Sequence, residues 1–167
     1  MISDTHGLFR PELRKFMKYS DLIFHAGDIG KPEVMEALRK IAPVYVVRGN
    51  VDTGEWVKPY PESTIVEFDG HSFYILHNLN DLDFDPASKG FSVVVTGHSH
   101  KPKIFTKNNV LYLNPGSAGP RRFELPIGIG RLIISGNRIE AEVLQFKADE
   151  WFHPIFNLRS DCHDAVS

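Results

Sequence analysis

Five apolar, strand-like runs each end in a short polar cluster, and this pattern constrains the fold more than any other feature of the sequence. The runs occupy residues 1–3, 22–26, 44–48, 73–76 and 93–96. The clusters that follow them are Asp4-Thr5-His6, Gly27-Asp28, Gly49-Asn50, His77 and Gly97-His98-Ser99-His100. In open α/β sheets, ligands bind beyond the carboxyl ends of the strands. We therefore expect two Asp, one Asn and four His side chains to meet at one sheet edge.

Helical periodicity separates the first runs from one another. Residues 11–18 carry apolar side chains at helical spacing, and residues 32–40 begin with Pro32 and show the same spacing. The alternation of strand and helix up to Val47 predicts a βαβαβ unit. A parallel sheet of this kind is covered by helices on both faces.

The second half of the chain predicts hairpins, because turn residues join its strands. We expect hairpins over residues 64–77, 103–114 and 127–145. His71 lies in the first of these turns and is expected to be solvated. A second, mixed or antiparallel sheet packed on the first would bury these strands. The predicted fold class is α/β, a four-layer αββα sandwich of two mixed β-sheets flanked by helices.

Charge and composition disfavour several kinds of partner. The formal net charge of the 167 residues is −2, and the basic residues are scattered, so nucleic-acid binding by phosphate neutralisation has little support. No apolar stretch approaches the ~18–20 residues of a membrane span, and the N-terminus lacks a signal-peptide pattern. The lone Cys162 has no partner for an internal disulfide. We expect a single cytoplasmic domain with no membrane partner.

The residue types at the strand ends indicate metal chemistry. Carboxylate, amide oxygen and imidazole together suit Mn²⁺, Fe²⁺, Co²⁺, Ni²⁺ or Zn²⁺. One carboxylate can also bridge two ions held ~3.5–4 Å apart, the separation used in phosphoryl chemistry. His25 is expected to support Asp28 from outside the ligand set or to pack in the core. The irregular spacing of His153, Cys162 and His163 argues against a further metal site there.

At these residues the sequence resembles the calcineurin-like metallophosphoesterase superfamily and, within it, the small YfcE-like phosphodiesterases. The family pattern of D-x-H, GD, GN, a strand-end His and GHxH is present in order over residues 1–145. The resemblance implies two divalent metal ions per chain, with Mn first and Ni, Fe, Co or Zn as alternatives. The implied ligands of one ion are Asp4, His6 and His100, those of the other are Asn50, His77 and His98, and Asp28 bridges both.

The resemblance also implies an activity. A hydroxide bridging the two ions would attack phosphorus in line, with Asp28, Asn50 and His98 as the catalytic residues, and the substrate would be a small phosphoester or nucleotide-like molecule. The implied metallophosphoesterase domain spans residues 1–146, followed by a C-terminal tail over 147–167. Homo-oligomerisation stays open. The alternative is a non-catalytic protein-interaction scaffold of the Vps29 type, but in that relative the D-x-H ligand is altered.

Two positions depart from the family pattern. Many members have a His after the GN motif that assists the leaving group, and this chain has Val51. Good leaving groups should therefore be favoured. The run before the D-x-H motif is only residues 1–3, so we expect a short first strand or a start that lies upstream. The substrate pocket is expected in the loops over residues 78–90 and 117–125, where Arg121 and Arg122 either steer a phosphate or are solvated.

Overall fold

The structure is a computed structural model that describes residues 1–121, 125–147, 150–151 and 157–161. The strands in the described part of the chain are β1 (Ile23–Ala26), β2 (Val44–Val47), β3 (Ser63–Phe68), β4 (His71–Leu76), β5 (Val93–Val95), β6 (Lys103–Lys107), β7 (Val110–Asn114), β8 (Ile127–Ser135), β9 (Arg138–Lys147), β10 (Glu150–Trp151) and β11 (Asn157–Asp161). The α-helices are α1 (Arg14–Met17) and α2 (Pro32–Arg39). Short 3₁₀ turns cover Pro11–Leu13, Glu55–Val57, Leu79–Asp81 and Ala87–Lys89.

The first sheet begins with the predicted crossover unit. Strands β1 and β2 are parallel and are connected through α2, which starts at Pro32 because proline fits the first helical turn. Residues 1–3 lie beside β1, where the N–H of Ile2 donates to the carbonyl of Phe24 at 2.9 Å. On their other side, the N–H of Gly130 in β8 donates to the carbonyl of Met1 at 2.9 Å. The short segment thus joins β1 to the β8–β9 hairpin.

The pairing of residues 1–3 with β1 is an isolated bridge between Ile2 and His25. Strand β9 is antiparallel to β8, and it also pairs with β10 and β11. The last two strands lie within residues 147–167, which the sequence assigns to a tail.

The second sheet has the order β3-β4-β5-β7-β6. Its three central strands are parallel to one another, and β3 and β6 are antiparallel edges. Fully buried side chains such as Phe73, Ile75 and Val95 face the first sheet and form the core between the two layers. On the outer face of the first sheet, Ile2 and Ile23 belong to a second core cluster that includes the buried side chains of both helices.

The α/β class, the mixed sheets and the predicted hairpins are confirmed. In the described part of the chain, the outer face of the second sheet is covered by Leu79, Leu82 and Ala87 of a loop with 3₁₀ turns, so a fourth layer of α-helix is not seen there. The prediction that His71 is solvated is wrong. It is buried beside the β8–β9 turn, where its Nε2 lies 2.8 Å from the carbonyl oxygen of Gly136. No helix among the described residues is long and apolar enough to cross a membrane.

Candidate metal centre

Four loops at the carboxyl ends of the strands bring the candidate ligands together. We define them as the first loop (residues 3–7), the second loop (27–30), the third loop (49–52) and the fourth loop (97–100). The first and second loops run side by side, because the N–H of Asp4 donates to Gly27 and the N–H of His6 donates to Asp28, both at 3.0 Å. The N–H of Gly97 donates to the carbonyl of His77 at 2.8 Å and places the fourth loop beside the end of β4.

One group of candidate ligands consists of Asp4, His6, Asp28 and His100. Each offers one ligand atom, and these atoms all lie within 4.8 Å of one another. The Nε2 atom of His100 is 3.2 Å from Oδ1 of Asp4 and 3.3 Å from Nε2 of His6. Two imidazoles and two carboxylates converging in this way form a donor set that suits a divalent transition ion.

A second group forms on the other side of Asp28. Oδ1 of Asp28 lies 3.3 Å from Nε2 of His77, whereas its Oδ2 lies 3.9 Å from Nε2 of His6. The amide oxygen of Asn50 is 3.1 Å from Nε2 of His77 and 3.1 Å from Nδ1 of His98. The structure thus brings all seven residues predicted from the sequence into two adjoining groups. Asp28 is the residue that they share.

The hydrogen bonds around the ligand atoms fit metal binding. Asp4 is fully buried, and its Oδ2 accepts hydrogen bonds from Ser3 Oγ at 2.6 Å and from the N–H of His98 at 3.1 Å. Its Oδ1 is buried without a hydrogen bond and faces His100. His77 donates from Nδ1 to the carbonyl of Ala26 at 2.7 Å, which leaves its Nε2 lone pair for the centre of the site.

Electrostatics couple Asp28 to His77. Burial opposes ionisation of both groups, but their mutual hydrogen bond and opposite charges dominate the balance. As a result the pKa of Asp28 is lowered, with a further contribution from the N–H of Val51, and the pKa of His77 is raised. Both shifts favour the charged forms of the two groups.

Five of the seven candidate ligands have left-handed backbones. Their φ angles are 53° for Asp4, 46° for His6, 54° for Asp28, 65° for His98 and 57° for His100. Each such residue costs of the order of 1–3 kcal/mol and persists only where the surrounding structure determines it. Residues of this kind cluster at functional sites. Nothing in the local sequence pattern indicated this conformation.

Two glycines allow the loops to approach one another. A Cβ on Gly97 would overlap Oγ of Ser3, and a Cβ on Gly49 would overlap Oδ1 of Asp28. Neither position needs a left-handed backbone, so the requirement is one of space. The GN and GH motifs therefore each pair a glycine with the close packing of a neighbouring loop.

Two further side chains near the site did not emerge from the sequence pattern. Ser3 orients Asp4 as described above, and Asp52 is buried and accepts hydrogen bonds from three backbone N–H groups. In the sequence, Asp52 could have been singled out by its position two residues after Asn50. Ser3 could have been singled out because it directly precedes Asp4.

His25 contacts the loops but none of the seven candidate ligands through the hydrogen bonds of its ring. Its Nδ1 accepts from the N–H of Gly27 at 3.2 Å, which leaves the Nε2 proton to donate to Thr5 Oγ1 at 2.9 Å. Thr5 Oγ1 then donates to the carbonyl of Ile29 at 3.0 Å. This series of hydrogen bonds ties the first loop to the second. Burial lowers the pKa of His25 to about 4, so the ring is neutral at pH 7.

The remaining predicted positions lie at the edge of the site or beyond it. Val51 is exposed, and its N–H donates to Oδ1 of Asp28 at 3.1 Å. Arg121 is exposed. Arg122, His153, Cys162 and His163 lie outside the described residues.

Comparison with known proteins identifies the family. The sequence model of the calcineurin-like phosphoesterase superfamily domain matches residues 1–137. A probable metallophosphoesterase of Methanothermobacter thermautotrophicus is 31% identical over 158 residues, covering 87% of this chain and 90% of the relative. The chain belongs to the calcineurin-like phosphoesterase superfamily.

Solved structures include both catalytic and other members of this fold. An archaeal phosphodiesterase has a TM-score of 0.70 at 25% identity, and the match covers 86% of this chain and 97% of the phosphodiesterase chain. Vps29 of Chaetomium thermophilum has a TM-score of 0.80 at 18% identity and covers 96% of each chain. The second likeness shows a shared fold.

Proposed function

We propose that this chain is a metal-dependent phosphodiesterase that holds two divalent ions. The observation that carries the proposal is the placement of Asp28, whose two oxygens face two different groups of candidate ligands. The first group would hold one ion and the second group the other, with Asp28 between them. Mn²⁺ is the first choice, as the family resemblance implies, and the mixed donor set of carboxylate, amide oxygen and imidazole also suits Fe²⁺, Co²⁺, Ni²⁺ and Zn²⁺. When bound, two ions would polarise the phosphoryl oxygens and lower the pKa of an attacking water towards ~7.

The protein's own residues would position the reacting group. Asn50 and His98 are the exposed members of the ligand set, so a substrate phosphoryl group would reach the site from their side. The buried Asp4 and His100 would hold the opposite side rigid. Val51 has no proton to give, so departure of the leaving group would depend on its own stability as an anion. We propose small phosphoester or nucleotide-like substrates in the cytoplasm.

The likeness in fold to Vps29 supports an alternative role as a protein-interaction scaffold. The family model and the convergence of the seven candidate ligands favour catalysis instead. Catalytic turnover distinguishes the two roles.

The test is an assay of metal-stripped protein on bis-p-nitrophenyl phosphate after loading with Mn²⁺. p-Nitrophenyl phosphate and a cyclic nucleotide serve as the monoester and cyclic-diester comparisons. We expect turnover of the diester, and we expect Asp28→Asn to lose at least about 100-fold in activity and part of its metal content. Asp69→Asn is the matched control, since Asp69 is exposed and has a similar φ of 49°. Full metal stoichiometry and activity in Asp28→Asn would refute the shared carboxylate.

A further inference from the structure

Asp52 connects two of the loops that carry candidate ligands. Its Oδ2 accepts hydrogen bonds from the N–H of Ile29 at 3.0 Å and from the N–H of Gly49 at 2.8 Å. Its Oδ1 accepts from the N–H of Gly30 at 2.8 Å. The side chain is 7% exposed. A carboxylate satisfied by three backbone donors is held in one orientation, and it holds its donors in turn.

The connection between these loops is reciprocal. Asp28 in the second loop accepts a hydrogen bond from the N–H of Val51 in the third loop at 3.1 Å. Asp52 in the third loop accepts from Ile29 and Gly30 in the second loop. Each loop therefore supplies a carboxylate to the backbone of the other. Asn50 lies between Gly49, whose N–H donates to Asp52, and Val51, whose N–H donates to Asp28.

We propose that Asp52 is a positioning residue that sets the distance between Asp28 and Asn50. It contacts none of the seven candidate ligands through its own hydrogen bonds and acts through the backbone of the loops that bear them. The part of this inference that concerns metal rests on the proposed function. The part that concerns loop geometry holds in the metal-free protein as well.

The two oxygens of Asp52 separate positioning from charge. Oδ2 accepts from a backbone N–H of each loop, Ile29 in the second and Gly49 in the third, whereas Oδ1 accepts only from Gly30 in the second loop. Asp52→Asn can keep the amide oxygen at that place and lose only the hydrogen bond from Gly30. Asp52→Ala loses all three. Both variants remove the negative charge, so a role through charge predicts the same effect for the two.

The experiment measures two quantities on wild type, Asp52→Asn and Asp52→Ala. The first is amide hydrogen exchange at Ile29, Gly30 and Gly49 in the metal-free protein. The second is Mn²⁺ affinity by competition with a chromogenic chelator. Asp69→Asn and Asp69→Ala are the matched controls on the surface. We expect Asp52→Ala to lose protection at all three amides and to bind Mn²⁺ about 10–100-fold more weakly.

For Asp52→Asn we expect lost protection at Gly30 alone and a loss of Mn²⁺ affinity below about 10-fold. Equal effects of the two substitutions, or unchanged protection in Asp52→Ala, would overturn the inference. If wild type itself failed to bind Mn²⁺, the proposed function would fall. Amide exchange in the metal-free variants would still decide whether Asp52 joins the loops.

Discussion

The hydroxyl of Ser3 lies 2.6 Å from Oδ2 of Asp4 and fixes the carboxylate of the residue that follows it. The same oxygen accepts the N–H of His98 from the fourth loop. With Oδ2 satisfied twice, Oδ1 is the atom that points to His100 at 3.2 Å. The orientation of this candidate ligand therefore depends on a neighbour that binds no metal itself.

Ser3→Ala should disturb that orientation. Removing the hydroxyl leaves a buried carboxylate with one donor fewer, and we expect the free energy of unfolding to fall by about 1.5–3 kcal/mol. Mn²⁺ affinity should fall about 10–100-fold. Urea unfolding and chelator competition measure the two effects. Ser88→Ala is the control, because Ser88 is exposed and donates to the backbone carbonyl of Asp85 at 2.7 Å, and it should change stability by less than about 0.5 kcal/mol.

Gly97→Ala should disturb the same contact from the opposite side. The added methyl group would overlap Ser3 Oγ and press on Asp4, so we expect a loss of about 1–3 kcal/mol in stability together with weaker Mn²⁺ binding. Gly70→Ala provides the comparison, because Gly70 lies in a turn with φ of 77° and open space around its Cβ position. It should lower stability without changing Mn²⁺ affinity, and a parallel loss of affinity in both variants would contradict the explanation.

His25 should make stability depend on pH. Its pKa is 6.5 in the unfolded chain and about 4 in the folded protein, where it is neutral and buried. The unfolded state therefore binds the proton more tightly, and the stability that the neutral ring provides is complete above pH 6.5 and is lost as the pH falls to about 4. The difference of about 2.5 in pKa corresponds to ~3 kcal/mol.

The measurement is urea unfolding of wild type and His25→Gln between pH 4 and pH 7. Other groups titrate in the same range, so the informative quantity is the difference between the two proteins. That difference should shrink by ~3 kcal/mol on acidification, because glutamine does not titrate. A constant difference across this range would mean that His25 does not bind its proton more weakly in the folded state. His71→Gln serves as a control for loss of a buried histidine outside the site.

Val51→His should change the preference for leaving groups. Val51 is 43% exposed and its backbone is anchored to Asp28, so a histidine at this position has access to solvent beside the site. A positioned general acid typically accelerates departure of a poor leaving group by ~10²–10⁴-fold. If wild type lacks such an acid, diesters with poor alkoxide leaving groups should react more slowly by about this factor. The substitution should accelerate those substrates and leave nitrophenyl diesters nearly unchanged.

Rates over a series of leaving groups decide the point. Val51→Gln controls for polarity and size, because glutamine cannot transfer a proton under these conditions. Equal sensitivity to the leaving group in wild type and Val51→His would remove position 51 from the mechanism.

The convergence of the seven candidate ligands was predictable because strand ends in an α/β sheet share one edge. Asp4 and Asp28 follow neighbouring parallel segments, and His77 and His98 follow strands β4 and β5 of the second sheet. Each position could be read from an apolar run and the polar residue after it. The α/β class followed from the same alternation.

The parts that escaped prediction depend on contacts between segments far apart in sequence. His71 is buried by Gly136, which lies 65 residues away, whereas the local turn pattern indicated a solvated side chain. The left-handed backbone of His98 accompanies a hydrogen bond to Asp4, 94 residues away. The role of Asp52 escaped prediction for the same reason, since its partners Ile29 and Gly30 follow a different strand.

The hydrogen bonds between Met1 and Gly130 have a consequence for biosynthesis. The amino group of Met1 donates to the carbonyl of Gly130 at 2.7 Å, across 129 positions of the chain. A ribosome adds about 5–20 residues per second, so the first residues wait for several seconds before β8 exists to receive them. The fourth loop, at residues 97–100, is synthesised before β8. The segment before Asp4 therefore gains its neighbour β8 only after every candidate ligand, from Asp4 to His100, has been synthesised.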